Sequence, residues 1–392
     1  MTSAAETSVS ETWLANRPVD AIALDPPLPI DRIATPALLL DEAKFERNVA
    51  TMAAHVRGKG KGARPHAKTH KCPVIARRQI AAGAIGVCAA KVSEAWVLRR
   101  AGIANVLVTS PVVDRLRTDL IARMASEGPG LAVVVDSTLG VEMLEAALAA
   151  DDVRLDVLID LDPRMGRTGV REPDDVYRLA ERIQPSRKLR LRGVQHYCGH
   201  VMHIEGHDAR AAQSKQHWER ALSIATALRT RGATVEIVSG GGTGTFDIDS
   251  EIDGITDLQV GSYIFMDQQY RVIGGKRGPV LDDFEIALTV QATAISQPAP
   301  GAVTVDCGFK GFASESIAPV AIDVVGTKYR FAGDEHGVLI MQPGGQTPRL
   351  GERVAFVTPH CDPTVNLYDY YWVHRDGYAH ALWPITARGC VW

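Results

Sequence analysis

Alternation is the property that most restricts how this chain can fold. Apolar runs of strand length recur at Gly62 to Ala67, Ile85 to Ala90, Asn105 to Thr109, Leu131 to Asp136, Leu155 to Leu161, Leu191 to Tyr197, Val235 to Ser239 and Leu258 to Tyr263. Between most of them lie segments with helical spacing, among them Val92 to Ala101, Val141 to Ala150, Asp174 to Ile183 and the long run Ala209 to Arg231. Strand then helix, repeated eight times over about 220 residues, matches a (β/α)8 TIM-type barrel of the α/β class in count and length.

The pattern changes after Gly274-Gly275. Alternating, β-branched runs at Ile286 to Ile295, Val303 to Asp306, Val320 to Val325, Val338 to Met341, Arg353 to Val357 and Tyr370 to Val373 are divided by Gly and Pro turns. They predict an additional, mostly β domain. The expected division is an N-terminal extension at 1–34, a barrel at 42–280, and a β-domain built from 35–41 and 281–392, with the Ala37 to Asp41 run brought back to join it.

Composition removes whole classes of function. The 392 residues carry 43 basic against 46 acidic side chains, a formal charge of -3, too balanced for nucleic acid or an anionic membrane as main partner. The first residues have neither a basic nor an apolar leader region, and no apolar run approaches the ~20 residues of a membrane span. Six scattered cysteines (72, 88, 198, 307, 361, 390) argue against a disulfide framework. The expectation is a cytoplasmic protein acting on a small molecule.

Barrel chemistry sits where strands end, at the C-terminal face. Lys68, in Arg64-Pro65-His66-Ala67-Lys68-Thr69-His70-Lys71, follows the first strand between two histidines, as a Schiff-base lysine would; Lys71 falls in the turn that starts the next helix. Arg167 follows the fifth strand, and Tyr197 and His203 the sixth. The seventh runs into Ser239-Gly240-Gly241-Gly242-Thr243-Gly244-Thr245 and the eighth into Gly261-Ser262-Tyr263, where barrels frequently hold a phosphate on backbone N–H groups. A lysine facing a phosphate anchor across a barrel mouth points to pyridoxal phosphate. His360 and Asp362, two residues apart, project to one side if the segment is extended, and suggest a divalent metal beside the cofactor. By the same alternation Cys361 would face away.

These motifs, with Lys91-Val92-Ser93-Glu94-Ala95, Asp334-Glu335-His336-Gly337 and His360-Cys361-Asp362-Pro363-Thr364, resemble in order those of the D-threonine aldolase, D-3-hydroxyaspartate aldolase and D-serine dehydratase group, a branch of the alanine-racemase-type pyridoxal phosphate enzymes. The likeness runs from about residue 35 to 392. It implies a barrel plus β-domain, pyridoxal phosphate, a divalent metal and usually a homodimer. Position by position, it makes Lys68 the Schiff-base lysine and Arg167 a neighbour of the cofactor ring. Tyr197 and His66 become cofactor contacts, Gly241, Gly242, Thr243, Gly261, Ser262 and Tyr263 the phosphate-binding groups, His360 and Asp362 the metal ligands, and His203 the base. The histidine–carboxylate pair follows the aldolases rather than the His-x-Cys of dehydratases, and favours manganese or magnesium while leaving zinc open.

The expected reaction is therefore cleavage of a D-β-hydroxy-α-amino acid to glycine and an aldehyde. Dehydration to a keto acid and ammonia is the neighbouring alternative, and a non-catalytic pyridoxal phosphate carrier the alternative of another class. The other histidines around the sixth strand (His196, His200, His207) read as helix-start or surface residues. A substrate with a distal carboxylate, such as 3-hydroxyaspartate, would need a cation, for which Arg64, His66, Lys310 and Arg330 are candidates.

Overall fold

The computed structural model describes residues 16–313, 317–322 and 324–392. Eight short parallel strands form one sheet: Gly62–Ala63, Val87–Ala89, Val106–Val108, Leu131–Val135, Leu155–Leu161, Leu189–His196, Ile237–Gly240 and Asp257–Leu258. Each pairs with its neighbour in sequence from the second to the eighth, and the eighth pairs with the first through Asp257 and Gly62. First and second strands close the ring through a parallel bridge between His66 and Cys88, with the Ala67 amide donating to the Cys88 carbonyl at 2.8 Å. The sequence expectation of a TIM-type barrel holds. Several strands are shorter than the apolar runs that announced them: only Gly62–Ala63 of the run to Ala67 is regular strand.

Parallel strands covered by helices read as continuous apolar runs, as Leu131–Val135 does, because both faces are buried. Several helices start at side-chain caps. Asp41 accepts from the Lys44 amide at 3.0 Å and Asp114 from the Arg117 amide at 3.0 Å, each satisfying a donor that a helix N-terminus leaves unpaired.

A second, ten-stranded sheet runs Ile22–Pro29, Tyr378–Pro384, Tyr370–Arg375, Ala37–Asp41, Leu288–Ala299, Ala302–Val305, Gly337–Met341, Thr327–Phe331, with Arg353–Val357 also on Leu288–Ala299 and Val320–Ala321 on Arg353–Val357. Ile22–Pro29 lies in the segment read from sequence as an extension; at a sheet edge its prolines cost no ladder hydrogen bond. Among the described residues, the run Val320 to Val325 supplies a two-residue strand.

This sheet is fastened to the mouth of the barrel. The amides of Gln268 and Gln269, just past the eighth strand, donate to the carbonyls of Thr358 and Pro359 at 3.0 and 3.1 Å, and the Tyr371 hydroxyl donates to the His70 carbonyl at 2.7 Å. His360 and Asp362 are thereby carried over the end of the first strand. Among the described residues no helix is long and apolar enough to cross a membrane, and all six cysteines are unpaired and buried.

Candidate active site

One cleft at the C-terminal face of the barrel gathers Lys68, Thr69, Tyr197, His203, Gly242, Thr243, Gln259, Gly261, Ser262, Tyr270, His360 and Asp362. It joins a cavity of about 250 Å³ lined by His66, Lys68, Thr109, Ser110, Arg167, Gln195 and Tyr197, among others. Residues 294 positions apart in sequence meet here. The Lys68 Nζ donates to Asp362 Oδ2 at 2.5 Å, and 40% of the lysine side chain stays open to the cleft. Burial works against the ammonium, but Asp362 and Tyr197 outweigh it and hold its pKa above the ordinary lysine value. For Asp362 burial likewise opposes the charge, and Lys68 and His360 overcome it, keeping the carboxyl well below the usual range.

Lys71 is committed elsewhere. Its Nζ donates to Glu94 Oε1 at 2.5 Å and to the Cys390 carbonyl at 3.2 Å, both partners lying inside the protein, so it ties the C-terminal segment to the barrel. His66 forms part of the cleft floor. Its Nε2 sits 3.2 Å from the Thr109 hydroxyl, while its Nδ1 is buried without a hydrogen-bond partner. Burial first, then Lys68, push its pKa well below the histidine norm, so the ring is neutral.

The two glycine loops come side by side. The Thr243 hydroxyl accepts from the Tyr263 amide at 3.1 Å, bridging them. A Cβ on Gly261 would stand 2.5 Å from Thr69 Oγ1, and one on Gly244 2.3 Å from the Met202 carbonyl oxygen, so neither loop tolerates a side chain at these positions. The Tyr263 side chain points away. Its ring packs on Phe284 and its hydroxyl accepts from Gln79 Nε2 at 3.0 Å inside the core, so that only its backbone can serve the loop. Buried Arg210 braces the region by donating to the carbonyls of Ile204, Gly244, Ile273 and Gly274. The Arg167 guanidinium lies over the Tyr197 ring, 5.2 Å from its centre.

The extended geometry expected for His360 and Asp362 is not found. His360 precedes a short helix, Cys361–Val365, with Asp362 in its first turn, and the pair reaches one cleft through that turn. Cys361 does not face away from the pair. It is fully buried with Sγ 3.5 Å from Asp362 Oδ1, and burial pushes its thiol pKa far up, so it stays protonated. Asp267 is the residue that sequence reasoning missed. Its Oδ2 takes the His360 Nδ1 at 3.0 Å and the Cys361 amide at 2.8 Å, while Oδ1 caps the next helix at the Tyr270 amide, 2.9 Å. A carboxylate on Nδ1 fixes the imidazole so that Nε2 carries the lone pair, the arrangement of metal-binding histidines. The only advance signal was an Asp at the N-cap position of a four-residue helix.

His203 stands on the open rim, its ring 4.9 Å from that of Tyr270; burial and then His360 lower its pKa, leaving a neutral base. Of the cations considered for a distal carboxylate, Arg64 pairs with Asp257 at 3.2 Å, exposed Lys310 pairs with Glu335 at 2.5 Å, and neither they nor Arg330 line the cleft; His66 alone does. His196, read as a helix-start or surface residue, instead ends the sixth strand and is 3% exposed.

Residues 40–269 match the alanine racemase N-terminal domain, and residues 287–374 a serine dehydratase domain. The chain is 38% identical over 377 residues to a D-threonine aldolase of Arthrobacter sp, covering 95% of this chain and 98% of that one. It is 33% identical over 360 residues to a 3-hydroxy-D-aspartate aldolase of Paracoccus denitrificans, covering 91% and 92%. The crystal structure of D-threonine aldolase from Filomicrobium marinum superposes with a TM-score of 0.89 at 38% identity, over 93% of this chain and 99% of the other. On its barrel, its second sheet and these likenesses, the chain belongs to the alanine racemase N-terminal domain family, in the branch that also carries the serine dehydratase domain.

Proposed function

We propose that the protein is a carbon–carbon lyase that uses pyridoxal phosphate and a divalent cation to cleave a D-β-hydroxy-α-amino acid into glycine and an aldehyde. The observation that carries this is the meeting of Lys68 with Asp362 at 2.5 Å in a cleft that also holds His360, His203 and both glycine loops. The relatives named for aldolase activity, matched over almost the whole chain, support it.

The residues fit the cofactor. An unpartnered buried Nδ1 on His66, two loops closed to any Cβ and one open lysine are features that a phosphate-bearing aldehyde would use. Lys68 would hold it covalently, and Gly241, Gly242, Thr243, Gly261, Ser262 and the backbone of Tyr263 would hold its phosphate. His66, Arg167 and Tyr197 would border its ring. His360 and Asp362 would hold the cation, a nitrogen and oxygen donor set suited to manganese or magnesium. When bound, pyridoxal phosphate supplies an electron sink for the pair left at Cα, and the cation a Lewis acid for the β-hydroxyl.

The chain's own groups account for the rest. His203, neutral and on the rim, takes the β-hydroxyl proton onto its ring as the Cα–Cβ bond breaks. Arg167 keeps its own protons, so a ring nitrogen facing it would stay unprotonated, which would moderate the sink and limit side reactions. Asp267 holds the His360 ring in one orientation. With Arg64 and Lys310 paired elsewhere, the cleft favours a β-substituent without a distal charge, the threonine type. The division into a barrel at 42–280 and a β-domain at 35–41 and 281–392, and a homodimeric assembly, belong to the same reading.

Incubating the protein with pyridoxal phosphate, manganese and a panel of D-β-hydroxy amino acids tests it. Glycine and aldehyde as products uphold the reading. Keto acid and ammonia would assign the dehydratase alternative, and no turnover with stable cofactor binding the carrier.

A further inference from the structure

The outer side of the sixth strand holds a second set of metal-binding side chains. Tyr197 borders the cleft; His196 and Cys198 flank it in sequence, and neither lines the cleft or its adjoining cavity. His196 Nε2 lies 3.2 Å from Cys198 Sγ, and each residue is only 3% exposed. His217, half-buried on the helix His207–Thr230, completes the set, since one ligand atom from each of the three lies within 4.8 Å of the others. A third imidazole adjoins it: exposed His200 brings its Nε2 to 3.1 Å from His217 Nε2.

We propose that His196, Cys198 and His217, with His200 in reach as fourth ligand, bind a zinc-class divalent ion that clamps the loop after the sixth strand to the helix His207–Thr230. Imidazole and thiolate are the donors zinc takes in tetrahedral sites, with ligand atoms roughly 3.3–3.7 Å apart for bonds of about 2.0–2.3 Å; here His196 and Cys198 stand at 3.2 Å, and His217 lies within 4.8 Å of both. Binding forms one S–metal bond as the S–H bond breaks and its proton leaves to solvent, while the imidazoles give lone pairs and lose nothing. The donors also sort the ions. Nitrogen and sulfur select a softer cation than the nitrogen and oxygen of His360 and Asp362, so the two sites take different metals from a mixture. The clamped loop carries Tyr197 and His203, which gives the ion a positioning role for the cleft.

The test uses the reduced, chelator-stripped full chain, with zinc and cobalt(II) as probes. Zinc should bind at one more equivalent per chain in the wild type than in Cys198→Ser. Cobalt(II) should give a near-ultraviolet thiolate-to-metal charge-transfer band that Cys198→Ser abolishes, His217→Ala weakens at least severalfold and Asp362→Asn keeps. Circular dichroism verifies that each variant is folded. His200→Ala, at an exposed position, guards against misfolding of the others and should weaken zinc binding severalfold. A wild type with no such band, a band unchanged in folded Cys198→Ser, or equal zinc content in wild type and in folded Cys198→Ser would overturn the proposal, and leave a thiol–imidazole hydrogen bond in its place.

Discussion

The Lys68 ammonium and the Asp362 carboxylate, 294 positions apart in sequence, stand 2.5 Å from each other where the barrel mouth meets the β-sheet. Each holds the other charged against burial. The pair makes the amine of one part of the chain and the acid of the other a single unit, so that under the proposed function a substrate amine replacing Lys68 would arrive beside the His360–Asp362 pair.

His203 carries the proton in this account. Replacing it by Asn should lower kcat by about 10²–10⁴ while leaving the bound cofactor's visible spectrum unchanged. Steady-state kinetics beside an absorbance spectrum check both halves. A spectrum lost with the activity would mean that His203 supports the cofactor instead.

Asp267 acts through His360. Asp267→Asn removes the charge that fixes the ring and should weaken manganese activation about 10–100-fold, read as a rise in the metal concentration for half-maximal rate, with kcat at saturating metal far less affected. His360→Ala, by contrast, should not be rescued by added metal.

Gly261 is closed to a side chain by Thr69. Gly261→Ala puts a Cβ 2.5 Å from Thr69 Oγ1 in a packed corner, a strain of about 1–3 kcal/mol. Cofactor affinity should fall roughly tenfold or more, measured by fluorescence titration, and the thermal transition of the apoprotein should drop by about a few degrees.

Asp160 sets a pH dependence of stability. Burial raises its pKa to about 6, against hydrogen bonds from Gln195 at 2.9 Å and Thr168 at 2.8 Å that lower it. The folded chain holds this proton more tightly than the unfolded one, so its contribution to stability falls as pH rises from the ordinary carboxylate range to about 6 and is level above. Asp160→Asn should therefore gain about 1 kcal/mol relative to wild type between pH 5 and pH 7.5 in urea denaturation. A difference that is constant with pH would contradict the assignment.

The parts legible in sequence were those that position along a strand can fix. Lys68, Arg167, Tyr197 and the glycine loops each follow a strand end, so counting strands placed them at one mouth before any contact was known. Asp267 and His217 were hidden because their partners, at 360 and 196, are set by how a short helix and a long one fold back, which no local spacing encodes. The strand Ile22–Pro29 was masked by its prolines, which an edge position accommodates. Alternation misled at Cys361, since the short helix Cys361–Val365 replaces the extended geometry on which that argument depends.

Borohydride reduction of the protein with pyridoxal phosphate, followed by peptide mass analysis, addresses the central claim most directly. The account predicts one reduced adduct, on the peptide bearing Lys68 and assigned to that residue by fragmentation. An adduct on Lys71 or on a lysine outside the cleft, or a visible band that survives reduction with no adduct, would contradict it.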